Sequence, residues 1–136
     1  MNKIKPIVFV ASPYAGDDQL LNIDFARRIS RRISTETGAM PFAPHLLFPQ
    51  FLNDQDEIER GIGIAYCSTM MAVAKFGAFF VPAWRREPST GMRHEIAEAD
   101  EIGLSSELVY DGRAGSPGND VNWLIAKLAA MFPKTP

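Results

Sequence analysis

The sequence predicts an α/β fold in which a mostly parallel sheet of four or five strands carries helices on both faces. Short apolar runs alternate along the chain with longer segments whose apolar residues recur at helical spacing. The apolar runs are nearly continuous, which is typical of strands buried on both faces of a parallel sheet. At 136 residues the chain is long enough to bury one core. We therefore expect one three-layer domain over residues 1–136, of the flavodoxin-like or Rossmann-like kind.

The first strand and helix are predicted from the first 38 residues. The apolar run at residues 4–11 ends at Ser12-Pro13 and indicates a buried strand. A helix is expected to open near Asp17-Asp18 and to end near Thr37-Gly38, since glycine favours the helix stop. Its apolar side is marked by residues four apart, namely Leu21, Phe25, Ile29 and Ile33.

The middle of the chain predicts a second strand and a second long helix. Residues 39–43 form the strand, and residues 44–49, with two prolines, are expected to lack regular structure. Asn53 or Asp54 is expected to cap the helix, because Asp54 and Glu57 have the spacing of a capping box. The helix runs toward Ala74, with Gly61 and Gly63 as expected points of bending.

The last third predicts two more strands and two more helices. The strands are residues 76–81 and 104–110, and the segment 111–118 reads as a loop. Ser89 is expected to cap the helix between them, which ends near Gly103. Asp120 is expected to cap the last helix.

Composition excludes several classes of function. The net charge is −2 without a basic block, so no nucleic-acid partner is expected. A single cysteine, Cys67, allows no internal disulfide, and only two histidines accompany it, so no metal site is expected. No run approaches the roughly twenty apolar residues of a membrane span, and the N-terminal run is too short for a signal peptide. We expect a cytoplasmic protein.

Chemistry-bearing residues follow three of the predicted strands. Parallel strands bring such loops together at the carboxyl edge of the sheet, where α/β proteins bind ligands. Neither a GxGxxG fingerprint nor a P-loop spacing is present, and no cofactor is expected. A carboxylate near a helix start, Glu95, is expected to stay ionised and could attack an electrophilic sugar carbon. The predicted catalytic residues are Glu95 and Tyr14, and the predicted substrate-binding residues are Ser12, Gly16, His45, Ser89, Thr90, Gly91 and Met92.

Other conspicuous side chains have plainer interpretations. His94 is expected to point away from Glu95 by about 100° around the helix and to be structural. Cys67 lies in an apolar helix and is expected to be inert. Trp84 is either a wall for a base or a packing residue, and His45 is either a site imidazole or a loop-packing side chain.

Three motifs carry a resemblance to a known family. They are Ile7-Val8-Phe9-Val10-Ala11-Ser12-Pro13-Tyr14, then Asn22 with Ala26, and Ser89-x-Gly91-x-x-x-Glu95. Together they resemble the nucleoside 2-deoxyribosyltransferase superfamily over roughly residues 5–110. The sequence Pro-His-Leu-Leu-Phe-Pro after the second strand is most similar to small bacterial and phage members of uncharacterised function.

The resemblance implies a reaction and a substrate. Glu95 matches the nucleophile that attacks C1′ of the deoxyribose, and Tyr14 matches an aromatic residue near the sugar. Ser89 matches a serine that binds the 5′-phosphate in the nucleotide-hydrolysing branch, which favours a nucleoside monophosphate and water as acceptor. The resemblance also implies a homodimer or larger homo-oligomer, for which residues 48–52 offer an apolar contact.

One departure from the family leaves alternatives open. The family has an acidic residue near the end of the third strand that protonates the departing base, and here no acid follows residue 75 before Glu87. Asp54, Asp56 or His45 could substitute. Besides an N-glycosidase or deoxyribosyltransferase, the sequence is compatible with a non-catalytic nucleotide-binding module, or with an interaction protein that retains the fold.

Overall fold

In the computed structural model, which describes residues 4–112 and 120–135, strands and helices alternate as expected. The strands are β1 (Ile7–Ala11), β2 (Met40–Phe42), β3 (Phe76–Val81) and β4 (Ser106–Tyr110). The helices are α1 (Gln19–Glu36), α2 (Pro44–Leu47), α3 (Glu57–Val73), α4 (Thr90–Glu101) and α5 (Val121–Met131). A short 3₁₀ helix, Phe48–Gln50, follows α2.

The four strands form one parallel sheet in the order β2-β1-β3-β4. The chain adds β2 on one side of β1 and then crosses to the other side for β3. Helical crossovers are the usual way to join parallel strands, and this reversal of direction opens a crevice at the carboxyl ends of the strands beside β1. The predicted α/β fold is confirmed.

Two apolar layers hold the helices to the sheet. On one face, α1 and α5 cover side chains of β1 and β3 that include Val8, Val10 and Phe80. On the other face, α3 and α4 cover the alternate side chains, among them Phe9 and Phe79. All six residues of β3 are buried, because this central strand is covered on both faces.

The predicted strand bounds agree with the structure to within three residues, whereas two predictions between β2 and β3 are wrong. The segment expected to be irregular forms α2, because Pro44 occupies the first helical position, where a missing N–H costs nothing. The cap of α3 is Asp56, whose carboxylate accepts hydrogen bonds from the N–H groups of Ile58 and Glu59. The helix then continues through Gly61 and Gly63 to Val73.

The end of the chain agrees with prediction where the structure describes it. Asp120 caps α5 by accepting a hydrogen bond of 2.8 Å from the N–H of Trp123. Most of the loop predicted at residues 111–118 lies outside the described residues. Within the described ranges, no helix combines the length and the apolar character needed to cross a bilayer.

Candidate active site

A cavity of about 820 Å³ lies at the carboxyl edge of the sheet. The segments that follow β1, β2 and β3 form one side of it, and α3 and α4 form the other. Among the predicted site residues, seven line this cavity: Tyr14, His45, Ser89, Thr90, Gly91, Met92 and Glu95. A smaller cavity of about 520 Å³ adjoins it and shares Tyr14 and Asp54.

The start of α4 is built as the sequence predicts. The Ser89 hydroxyl oxygen accepts a hydrogen bond of 3.2 Å from the N–H of Met92 and caps the helix. Thr90 and Gly91 form the first turn, so their backbone N–H groups have no partner within the helix. A helix start with unpaired N–H groups at the edge of a cavity favours an anion there.

Glu95 lies in the second turn of α4, half-buried at the cavity wall. Burial is the main cause that raises the pKa of its carboxyl group to about 7; the nearby Cys67 side chain opposes this rise, and the charge of Glu98 adds to it. The sequence predicts a carboxylate kept ionised by the helix start, whereas with a pKa of about 7 the ionised and protonated forms are both populated near neutral pH. The influence of the helix N-terminus fades beyond the first turn, and desolvation dominates.

The rings of Tyr14 and His45 lie next to each other in the cavity wall. Their ring centroids are 5.0 Å apart. The His45 imidazole also hydrogen-bonds to the backbone of Ser12, while its burial lowers its pKa. His45 is therefore a neutral imidazole near pH 7, fixed against Tyr14.

A buried asparagine, Asn22, hydrogen-bonds to both the loop after β1 and the loop after β3. The Asn22 amide on α1 donates a hydrogen bond of 3.3 Å to the backbone oxygen of Tyr14. Its amide oxygen accepts a hydrogen bond of 2.9 Å from the Trp84 indole N–H. Trp84 packs edge-on against Phe25 in the core, with ring centroids 5.8 Å apart. The packing interpretation of Trp84 is thus confirmed, and Asn22 couples the loop after β1 to the loop after β3.

Two predicted site residues do not line either cavity. Ser12 is buried beneath the site and contributes through its backbone contact with His45. Gly16, expected at the floor of the pocket, is exposed and has a φ of +115°, a conformation that favours glycine. Its role in the structure is to let the chain turn into α1.

Several cavity residues were not predicted from the sequence. Cys67, expected to be inert, lines the same cavity as Glu95. His94, expected to point away, is exposed and also lines it. Further carboxyl groups come from Glu59 and Glu98, while Asp54, which the sequence offers as a substitute proton donor, also lines the cavity. In the described part of the chain, no three of the His, Cys, Asp and Glu side chains gather closely enough to hold a metal ion.

A model of a domain of unknown function, DUF7768, matches residues 6–109. The chain belongs to the DUF7768 family. The match runs from the start of β1 almost to the end of β4, so it includes every loop that forms the cavity. No curated protein matches the chain.

Two solved structures share the fold of this DUF7768 chain. One comes from work on a 2-deoxyribosyltransferase of Bacillus psychrosaccharolyticus; it is 16% identical, covers 96% of this chain and 98% of its own, and has a TM-score of 0.66. The other is a 2-desoxiribosyltransferase of Leishmania mexicana, 15% identical, covering 77% of this chain and 64% of its own, with a TM-score of 0.51. At this identity the likeness shows a common fold.

Proposed function

We propose that this protein breaks the N-glycosidic bond of a nucleoside or a nucleoside 5′-monophosphate and transfers the sugar to water or to another base. The observation that carries the proposal is the meeting of Tyr14, Ser89 and Glu95 at one cavity. These three residues match the motifs of the nucleoside 2-deoxyribosyltransferase superfamily; Tyr14 follows β1, and Ser89 and Glu95 follow β3. The fold shared with two deoxyribosyltransferases supports the same reaction class.

Glu95 is the proposed nucleophile. One carboxylate oxygen attacks C1′ as the bond from C1′ to the base nitrogen breaks, and the electron pair of that bond leaves with the base. The resulting sugar ester on Glu95 is then attacked at C1′ by water or a second base, which releases the carboxylate. Tyr14 borders the same cavity, and its hydroxyl is proposed to orient Glu95 and the sugar.

The start of α4 is the proposed phosphate site. The Ser89 hydroxyl accepts from Met92 through its oxygen and keeps its own proton available to donate. The N–H groups of Thr90 and Gly91 add two backbone donors at the positive end of the helix. A nucleoside 5′-monophosphate with its phosphate here would extend its sugar toward Glu95, one turn further along.

Asp54 is the proposed proton donor for the departing base. Of the three substitutes suggested by the sequence, Asp56 is occupied as the cap of α3, and the buried His45 is neutral and hence a poor acid. Asp54 lies at the junction of the two cavities. Its carboxyl group is therefore the proposed proton donor to a base bound across that junction.

A nucleotide-binding module without turnover is the second candidate function. It is favoured by the end of β3, where Pro82, Ala83 and Trp84 stand in place of a carboxylate and Trp84 packs into the core. If Asp54 does not protonate the base, the reaction would slow by about 10²–10⁴-fold, and binding would remain.

A screen of nucleosides, deoxynucleosides and their monophosphates tests the proposal, with free base measured by chromatography. We expect base release by the wild type and a loss of about 10³-fold or more in Glu95→Gln. Glu98→Gln is the matched control, because Glu98 lines the same cavity one turn along α4. Thermal stabilisation by a nucleotide without base release would support the binding module instead.

We also propose a cellular location and an oligomeric state. We place the protein in the cytoplasm, as a homodimer or larger homo-oligomer, and count it among the small bacterial and phage deoxyribosyltransferase-like proteins. Phe51 supports an oligomer, since 58% of its surface is exposed beside the smaller cavity. Phe48 does not, because its ring packs against Phe42 and Tyr66.

A further inference from the structure

Arg60 lies in the cavity wall that α3 forms. It ends the first turn of the helix, and Gly63, Ile64 and Cys67 line the cavity after it. Residues three, four and seven positions apart share one face of a helix. This face of α3 is therefore turned to the cavity, and Arg60 is its first member.

The register of α3 against α4 places Arg60 opposite the start of α4. The two helices run in the same direction, since each leads from the carboxyl edge of the sheet back to the amino edge. The Ser68 hydroxyl on α3 donates a hydrogen bond of 3.0 Å to Glu98 on α4. Arg60 and Thr90 each precede this contact by eight residues, which is about 12 Å of helix. Arg60 therefore lies at the level of Thr90, on the opposite wall of the cavity.

The guanidinium group of Arg60 is not engaged by the protein itself. Within the described part of the chain, its side chain makes no hydrogen bond and no ion pair. Arg93, by contrast, is paired with Glu87. The carboxylate next to Arg60 in the chain, Glu59, accepts a hydrogen bond of 2.9 Å from the backbone N–H of Asn53. The N–H donors of the guanidinium group are thus available to a ligand in the cavity.

The acidic side chains of the cavity leave the start of α4 open to an anion. The cavity glutamates of α4 lie one turn or more beyond that start. Asp54 and Glu59 line both cavities, so they lie at the junction between them. Arg85, on the loop after β3, lines the larger cavity alone, as Arg60 does. The positive side chains are therefore placed apart from the junction.

We propose that Arg60 binds the phosphate group of a nucleoside 5′-monophosphate from the α3 side of the cavity and makes that group necessary for tight binding. This assignment rests on the proposed function, which places the phosphate at Ser89, Thr90 and Gly91. A guanidinium group donates to two phosphate oxygens at once, with a geometry that a single N–H or hydroxyl does not offer. The phosphate is held between the two helices, and the sugar extends toward Glu95.

Calorimetric titration with the four common deoxynucleoside 5′-monophosphates and the matching deoxynucleosides tests the proposal. In Arg60→Gln we expect the monophosphates to bind about 10–100-fold more weakly, the usual result of losing a hydrogen bond to a charged group. The deoxynucleosides should bind as they do to the wild type. Arg60→Lys keeps the charge without the planar fork, so its affinity for the monophosphates should lie between the two.

Arg86→Gln is the matched control, because it removes the same charge from an exposed position outside both cavities. We expect it to bind both kinds of ligand as the wild type does. An unchanged affinity for the monophosphates in Arg60→Gln, or equal losses for monophosphates and deoxynucleosides, would overturn the proposal. A wild type that binds monophosphates no more tightly than deoxynucleosides would also overturn it.

Chemical modification locates the contact without any substitution. Phenylglyoxal reacts with accessible arginine side chains, and peptide mapping by mass spectrometry follows each of them separately. The monophosphate that binds most tightly is expected to protect Arg60 and to leave Arg86 reactive, whereas its deoxynucleoside should protect neither. Equal modification of Arg60 with and without the monophosphate would contradict the contact.

Base release separates this proposal from the proposed function. Arg60→Gln is expected to lower kcat/KM for the monophosphate and to leave kcat/KM for the deoxynucleoside unchanged. Absence of base release in the wild type and in every variant, with the binding differences as expected, would reject the proposed function and keep the phosphate contact. Base release that depends on Glu95 but is equally efficient in Arg60→Gln would reject the contact and keep the function.

Discussion

Glu95 is the residue whose protonation state decides what the cavity can do. Its pKa of about 7, raised by burial, means that the ionised and protonated forms are both populated near neutral pH. A carboxylate that has shed part of its water shell is a stronger nucleophile than an exposed one, although fewer molecules carry it in ionised form. Burial and the nearby Cys67 side chain act on this balance in opposite directions.

The raised pKa of Glu95 predicts a pH dependence of stability. The folded protein binds a proton at Glu95 that the unfolded chain releases near pH 4.5, so the contribution to stability is complete below about 4.5 and is lost as pH rises through about 7. Glu95→Gln removes this titration. We expect the free energy of unfolding to fall less between pH 5 and pH 8 in Glu95→Gln than in the wild type.

The expected difference is on the order of 1–2 kcal/mol, discounted from the full shift because a half-exposed carboxylate is partly screened by water. Urea unfolding at the two pH values measures it. Glu101→Gln serves as control, because it removes an exposed carboxylate at the end of the same helix. Identical pH dependence in the wild type and Glu95→Gln would contradict the assignment of a raised pKa to this group.

Ser89 has two separable roles, as helix cap and as proposed phosphate ligand. Ser89→Ala is expected to weaken binding of a nucleoside monophosphate by about 1–3 kcal/mol, the usual loss for a hydrogen bond to a charged group. The corresponding nucleoside should be affected far less. Isothermal titration of both ligands measures the difference, and equal losses would place the phosphate elsewhere.

A second cap variant, away from the cavity, separates the effect of losing a helix cap from the effect of losing a phosphate ligand. Asp120→Ala deletes the cap of α5, which is not among the elements that form the cavity. We expect it to lower the free energy of unfolding by about 1 kcal/mol, as Ser89→Ala does, and to leave both ligand affinities unchanged.

At the scale of the elements, the sequence predicts strands better than it predicts which side of a helix faces the site. The bounds of β3 agree with prediction, because a continuous apolar run leaves little freedom. The cap of α4 also agrees, since Ser89 directly precedes the helix. Neither prediction needs knowledge of the packing partners.

Helix α3 shows why Cys67 was not predicted as a site residue. Apolar side chains surround α3, and only Met71 is fully buried, while Ile58, Ile64 and Val73 are exposed. Helical periodicity therefore gives no inner face, and contact with α4 decides that Cys67 turns to the cavity. The formation of α2 likewise depends on tertiary packing, since four residues are too few for a helix to be stable alone.

The observed cap of α3, Asp56, leads to a prediction about stability. Asp56→Ala removes an acceptor for the N–H groups of Ile58 and Glu59, and we expect it to lower the free energy of unfolding by about 1 kcal/mol. Asp54→Ala, two residues earlier, should leave stability within about 0.5 kcal/mol, as is usual for an exposed side chain. Urea unfolding of both variants checks this. The reverse ranking would restore the cap expected from the sequence.

At the scale of the whole molecule, the strand order places the site. With β1 between β2 and β3, the three loops that carry Tyr14, His45 and Ser89 meet at one edge, as the α/β pattern predicts. The cavity residues on α3 could not be predicted from the loop sequences. They depend on how α3, which lies between β2 and β3 in the chain, packs across the sheet. The sequence therefore identified the loops and the start of α4 and missed the residues that α3 contributes.

The proposed homo-oligomer is tested by the mass of the protein in solution. We expect sedimentation velocity at micromolar concentration to give a mass of at least two chains. Phe51→Glu should shift the protein toward the monomer, because it places a charge on the apolar surface proposed for the contact. Leu20→Glu, at an apolar position on α1 that is even more exposed than Phe51, is the control. A wild type that remains monomeric would reject the oligomer.

The central claim is that Glu95 forms a covalent bond to the sugar, and intact-protein mass spectrometry after acid quenching tests it most directly. Wild-type protein mixed with the deoxynucleotide it cleaves fastest should gain the mass of one deoxyribose phosphate unit. Proteolysis should place that mass on the peptide containing Glu95, and Glu95→Gln should show no gain. Base release that persists undiminished in Glu95→Gln, with no adduct on the wild type, would contradict the account.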